Sequence, residues 1–167
     1  IPASGSATRM RGLPKFLLPS GHEDLTLLEL HIKNVLEHAE EILIGINPIF
    51  FELVTNSKLK LFGAKMVPLQ TKTMSETVLN LANRSSGSKF MMIMPDTIFE
   101  SNKGYIFDNS KSDLTLSLWK IRNDQHGKLG QVSVDLDGKV LEQTQPYLNQ
   151  YVFCKLASQM SQDDMVS

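Results

Sequence analysis

The chain has 167 residues, 41% of them hydrophobic and 21% charged, with a formal net charge of −1 and a single cysteine, Cys154. That length and balance suit one domain with its own core. They exclude an internal disulfide framework, a binder of nucleic acid acting through overall charge, and a membrane span of ~20 apolar residues.

The opening runs from an apolar start into Ala3, Ser4, Gly5, Ser6 and Ala7, then Arg9, then Pro14-Lys15 ahead of Phe16-Leu17-Leu18. Small residues let backbone N–H groups approach an anion closely. A helix beginning just after them would add the positive field of its N-terminus. Arg9 and Lys15 would supply full charges beside that nest, so the stretch suits a polyphosphate. Neither G-x-G-x-x-G nor G-x-x-x-x-G-K-[ST] is present, and a plain solvated turn is the competing reading. About four or five further apolar residues are expected ahead of Ile1, to give the first strand an ordinary length. No signal-peptide layout is visible, and a cytoplasmic protein is expected.

Residues 26–38 carry apolar side chains at helical spacing (Leu28, Ile32, Val35, Leu36) and predict an amphipathic helix. Residues 41–47 form a short apolar run ending at a Pro48 turn, a buried parallel strand. Residues 50–61 predict a weaker helix. Residues 65–70 predict a short strand, which Pro68 places at an edge or near its end. Residues 75–82 predict a helix with Ser75 as candidate cap. Residues 89–96 are a strongly apolar strand that stops at Asp96. This alternation predicts an α/β fold: a doubly wound, mostly parallel sheet with helices on both faces. Ligands of such sheets sit at the carboxyl ends of the strands. The opening loop, Gln70 and Asp96 all fall at predicted strand ends, which points to one shared site.

The second half changes character. Residues 113–121 alternate like a strand, and residues 130–135 and 139–142 flank Leu136-Asp137-Gly138 as a hairpin. Residues 151–153 suit one more strand, and the polar tail from Ser158 is expected to fray. A small mixed β extension is therefore appended to the parallel core. The histidines His22, His31, His38 and His126 show no metal-ligand grouping; His31 and His38 read as packed or solvated helix residues.

The run from Ala3 to Met10, followed by Leu13-Pro14-Lys15, resembles the signature loop of the sugar-1-phosphate nucleotidylyltransferases: A-G-x-G-T-R-[LM], a gap, then P-K. The short gap is closer to the uridylyltransferases of N-acetylglucosamine-1-phosphate than to the thymidylyltransferases. Ala7 stands at the family's second loop glycine. Gln70 followed by Met74-Ser75-Glu76-Thr77-Val78-Leu79 is similar to the base-reading pattern of a Gln and then G-T-A-x-A-L, with Met74 at the glycine. Ile93-Met94-Pro95-Asp96-Thr97 is similar to the strand-end G-D motif, with Pro95 at the glycine. Residues 128–132 and 138–140 look like the strand pair before an E-K-P motif. Here that place reads Glu142-Gln143-Thr144-Gln145-Pro146, without the phosphate-binding Lys. The family's second metal acid lies further along than this chain reaches.

The resemblance covers roughly residues 1–140. It implies a three-layer Rossmann-like domain over residues 1–167, incomplete at both ends. It also implies magnesium-dependent transfer of a nucleotidyl group from a nucleoside triphosphate to a sugar-1-phosphate, with release of pyrophosphate. Arg9 and Lys15 would be catalytic, beside the β/γ- and α-phosphates respectively. Ala3, Ser4, Gly5, Ser6, Gln70 and Ser75 would bind the nucleotide, and Asp96 would hold the Mg²⁺. The implied partners are these two substrates, with no nucleic acid and no membrane; a homo-oligomer is compatible with it. From the residues alone, Ser75 and Asp96 also read as simple caps of the segments they begin. A non-catalytic binding or regulatory module of the same fold, or a truncated enzyme, is the competing class.

Overall fold

The computed structural model describes residues 1–97, 131–137 and 139–144. Its centre is a parallel sheet of three strands in the order β1 (Pro2–Ala3), β2 (Leu43–Ile46), β3 (Lys65–Pro68). Ala3 pairs with Ile46, and Ile46 with Pro68. Pro68 closes its strand, where its missing N–H is harmless.

Three helices join or follow these strands: α1 (Leu27–Val35), α2 (Pro48–Asn56) and α3 (Met74–Ala82). α1 starts with a capping box, in which Thr26 Oγ1 accepts from Glu29 N and Glu29 accepts from Thr26 N. The Glu29 carboxylate also accepts from Lys60 N at 2.8 Å, tying the start of α1 to the segment after α2. α2 begins at Pro48, ahead of the expected residue 50, because the Asn47 side chain caps it and proline suits the first helical position. It stops at Asn56 instead of residue 61; left-handed residues at Lys58 and Phe62 turn the chain away from helical geometry. α3 is capped by Thr73, whose hydroxyl accepts from Glu76 N at 3.1 Å. Ser75, the expected cap, lies within its first turn.

Side chains alternate across β2. Ile44 and Ile46 join Ala3, Leu28, Ile32, Phe50 and Val54 in the main core, on the face covered by α1 and α2. Phe16 enters the same core and meets Phe50 edge to face, with ring centroids 6.4 Å apart. On the other face Gly45 looks toward α3, where Val67, Leu69 and Leu81 pack together.

Residues 89–96 are not paired as a strand, which corrects the expectation of a further parallel one. Their apolar content is still used: Ile93 is buried against Val35, with Ile1, Ile42 and Met91 beside it. Hydrophobicity dictated burial here, while ladder pairing needs a register that the run does not take up. The hairpin is present, as β4 (Gln131–Val134) antiparallel to β5 (Val140–Thr144). Its turn is held by Asp135 Oδ1, which accepts from the backbone of Asp137 and Lys139. The strands expected over residues 113–121 and 151–153, and the tail from Ser158, lie outside the described residues. Among the described residues no helix is long and apolar enough to cross a membrane.

Candidate functional site

All three parallel strands deliver their following residues to one end of the sheet. Ser4 leaves β1 there, Asn47 leaves β2, and Leu69 to Thr71 leave β3. The Asn47 amide donates to Ser4 O at 3.0 Å, so a helix cap also braces the first loop. Ser4 Oγ lies 2.6 Å from Thr77 Oγ1 and 3.0 Å from Thr71 Oγ1. Thr71 and Thr77 close the triangle at 2.6 Å. These hydroxyls join the loop after β1, the loop after β3 and the first half of α3.

The loop after β1 is compact. Ala7 is left-handed, with φ 55° and ψ 24°. Its carbonyl accepts from Met10 N at 3.0 Å and from Gly12 N at 3.1 Å. Gly5 and Ser6 are exposed on the way into this turn, and Ala3 is buried in β1. The chain then makes a short 3-10 turn, Thr8–Met10, and no α-helix begins before Leu27. The expected helix field behind the loop is therefore absent, and positive charge has to come from side chains. Arg9 is the middle residue of that turn.

Lys15 opens a second 3-10 turn, Lys15–Leu17, whose Phe16 is anchored in the core. That anchor turns Lys15 outward, and its Nζ lies 3.0 Å from Asp96 Oδ2. The two are 81 residues apart in sequence. Their side chains are 48% and 33% exposed, so the pair is open to solvent and to exchange of partners. Behind Asp96 lies His31, fully buried in α1. Burial pushes the His31 pKa down, opposed by a hydrogen bond with the Thr97 backbone and by the Asp96 charge.

The remaining expected residues are less gathered. Gln70 is exposed at the end of β3, one residue before Thr71, and Ser75 is half-buried in α3. Neither takes part in the hydroxyl triangle. Sequence reasoning missed Asn47, Thr71 and Thr77; His31, read as a packed or solvated helix residue, is fully buried. The Asn-Pro step at a strand end was a usable signal for Asn47. Thr71 lies in the gap of the base-reading match and Thr77 within it, yet no spacing rule marks hydroxyls that meet only in three dimensions.

Among the described residues no group of three or more His, Cys, Asp or Glu side chains gathers as a metal cage. A lone carboxylate such as Asp96 still fits Mg²⁺, which takes one or two carboxylates and completes its shell with phosphate oxygens and water. Compared with protein-family models, with curated proteins and with solved structures, the chain has no match.

Proposed function

We propose that the chain is a nucleotidyltransferase-type domain that joins a nucleoside triphosphate to a sugar-1-phosphate and releases pyrophosphate. One observation carries the reading. Lys15 and Asp96, drawn from two separate motif resemblances 81 residues apart, are in direct contact. Three parallel strands in the order β1-β2-β3, with α1 and α2 on one face and α3 on the other, support a Rossmann-like reading of the domain.

In the proposed reaction a sugar-phosphate oxygen forms a bond to the α-phosphorus while the bond to the pyrophosphate oxygen breaks. The protein's work is positioning and charge neutralisation. Lys15 exchanges its Asp96 partner for the α-phosphate, and Arg9 neutralises the β/γ-phosphates. The loop Ala3, Ser4, Gly5 and Ser6 cradles the phosphates, while Gln70 and Ser75 read the base through amide and hydroxyl hydrogen bonds. Asp96 would hold Mg²⁺, which when bound screens the phosphate oxygens. The reading places the protein in the cytoplasm, where these substrates are found.

The test is pyrophosphate release with Mg²⁺, each nucleoside triphosphate and a panel of sugar-1-phosphates. Release with one pair is expected, and Lys15→Ala should lower it by ~10²–10³. The same variant should fold normally, since an exposed ion pair is worth ~0–1 kcal/mol. Unchanged turnover in Lys15→Ala would remove Lys15 from the mechanism. A second reading is favoured by Ala7, Met74 and Pro95 standing at three family glycines: a module that binds the nucleotide without turning it over. Nucleotide that protects against thermal unfolding with no release would select it.

A further inference from the structure

Thr77 has no part in the reaction proposed above, yet it touches three separate pieces of chain. It is fully buried. Its methyl group lies over Gly45 of β2, where an added Cβ would stand 3.1 Å from Thr77 Cγ2. Its hydroxyl is 2.6 Å from Ser4 Oγ at the start of the β1 loop and 2.6 Å from Thr71 Oγ1 in the β3 loop. Ser4 and Thr71 close the ring at 3.0 Å. A fourth contact, Thr77 Oγ1 to Thr73 O, is longer at 3.2 Å.

A hydroxyl carries one proton and accepts through its lone pairs. Three hydroxyls therefore have three protons for these four contacts. Oxygens 2.6 Å apart repel unless a proton lies between them, so the ring takes the protons first and the Thr73 carbonyl gets the weaker share. Hydrogen bonds linked in this way polarise one another, and removing one weakens the rest. The Thr77 side chain is the fixed member of the ring: its methyl is held against β2 and its backbone belongs to α3.

We propose that Thr77 is a positioning residue that locks the loop after β1 to the loop after β3, so that order in one is transmitted to the other. The identity of the ligand rests on the nucleotide reading, in which the first loop holds phosphate and Gln70, beside Thr71, reads the base. An anion that draws the Ser4 proton opens the ring into a directed chain, Thr71 to Thr77 to Ser4, and the loops stay joined. Phosphate binding thereby orders the base-reading loop.

Hydrogen exchange on the ligand-free protein tests the lock without any ligand. Thr77→Val keeps the branched shape and removes the hydroxyl; Thr77→Ser keeps the hydroxyl and removes the methyl. Two pairs of amides report on the two loops: Met10 and Gly12, bonded to Ala7 O, and Lys72 and Glu76, bonded to Glu76 Oε2 and Thr73 Oγ1. Thr77→Val is expected to speed exchange at both pairs together, by about tenfold, the equivalent of one hydrogen bond. Thr77→Ser is expected to leave both near wild type. Equal acceleration in both variants, or acceleration at one pair alone, overturns the proposal. Should Thr77→Val fail to fold, Thr71→Val at its less buried site decides. It must speed Met10 and Gly12 as well as its own loop, and an effect confined to the β3 loop overturns the lock. Titration of wild type with each nucleoside triphosphate is read separately. Absence of binding there defeats the nucleotide reading, while the exchange result judges the lock on its own.

Discussion

On one face of β2, Ile44 and Ile46 press into Leu28, Ile32, Phe50 and Val54. On the other, Gly45 leaves room for Leu69, Leu81 and the methyl of Thr77, each 3.1 Å from where a Cβ would be. The same short strand thus serves two purposes by alternation. Bulky residues on the α1/α2 face supply cohesion, since each buried aliphatic side chain is worth ~1.5–3 kcal/mol. The missing side chain on the α3 face lets a helix come close enough to carry a hydroxyl to the strand ends. Adhesion and site-building are therefore separated by a single peptide step.

Leu28→Ala attacks the cohesive face. The side chain is fully buried, and its truncation should lower stability by ~2–5 kcal/mol in a denaturant titration. A loss below that range would mean that α1 repacks and that this face is less tightly built than its burial suggests.

Gly45→Ala attacks the other face and should lower stability by ~1–3 kcal/mol. The two leucine tips can move, but the Thr77 methyl is held by the hydroxyl ring on the same side chain. Combining it with Thr77→Ser, which deletes the obstructing methyl, should restore part of the loss. No restoration would show that the leucines, and not Thr77, set the spacing of α3.

Ala7→Gly sharpens the contrast at the smallest scale. Ala7 is left-handed, at φ 55°, a conformation that costs an L-residue roughly 1–2 kcal/mol and glycine little. The substitution should raise stability by about 1 kcal/mol or slightly less, because glycine also gives the unfolded chain more freedom. A loss on thermal melting would mean that the alanine methyl has packing value, against Phe16's core, that offsets its backbone strain.

Local signals in the sequence carried far in some places and failed in others. The spacing of Leu28, Ile32 and Val35 marked α1, and the Ile44–Ile46 run marked β2, because each pattern reports burial of one face. The Asp-Gly step marked the hairpin. Where burial and pairing part company, pattern reading failed: Ile93 is buried, yet residues 89–96 form no ladder. The cap of α3 moved from Ser75 to Thr73 because two hydroxyl residues compete for it, and the hydrogen bond to Glu76 N decides. Of the site, the opening loop, Gln70 and Asp96 were read as strand-end residues; the loop follows β1 and Gln70 follows β3, whereas Asp96 follows a run that forms no ladder. The hydroxyl ring was not legible, since Ser4 and Thr77 are 73 residues apart and each reads alone as an ordinary turn or helix residue.

Glu29 links two places that a sequence reader would treat separately, the cap of α1 and the segment beginning at Lys60. Burial by itself would raise its pKa. The backbone N–H groups of Lys60 and Thr26, the Thr26 hydroxyl and the Lys60 charge outweigh it and hold the carboxyl below the ordinary 4.5. A carboxyl depressed in this way contributes stability at pH values above its unfolded value, and that contribution drains away as pH falls through the folded one. Protonating this one carboxyl removes the charge that strengthens both attachments, so acid weakens the start of α1 and the approach to β3 in the same titration step.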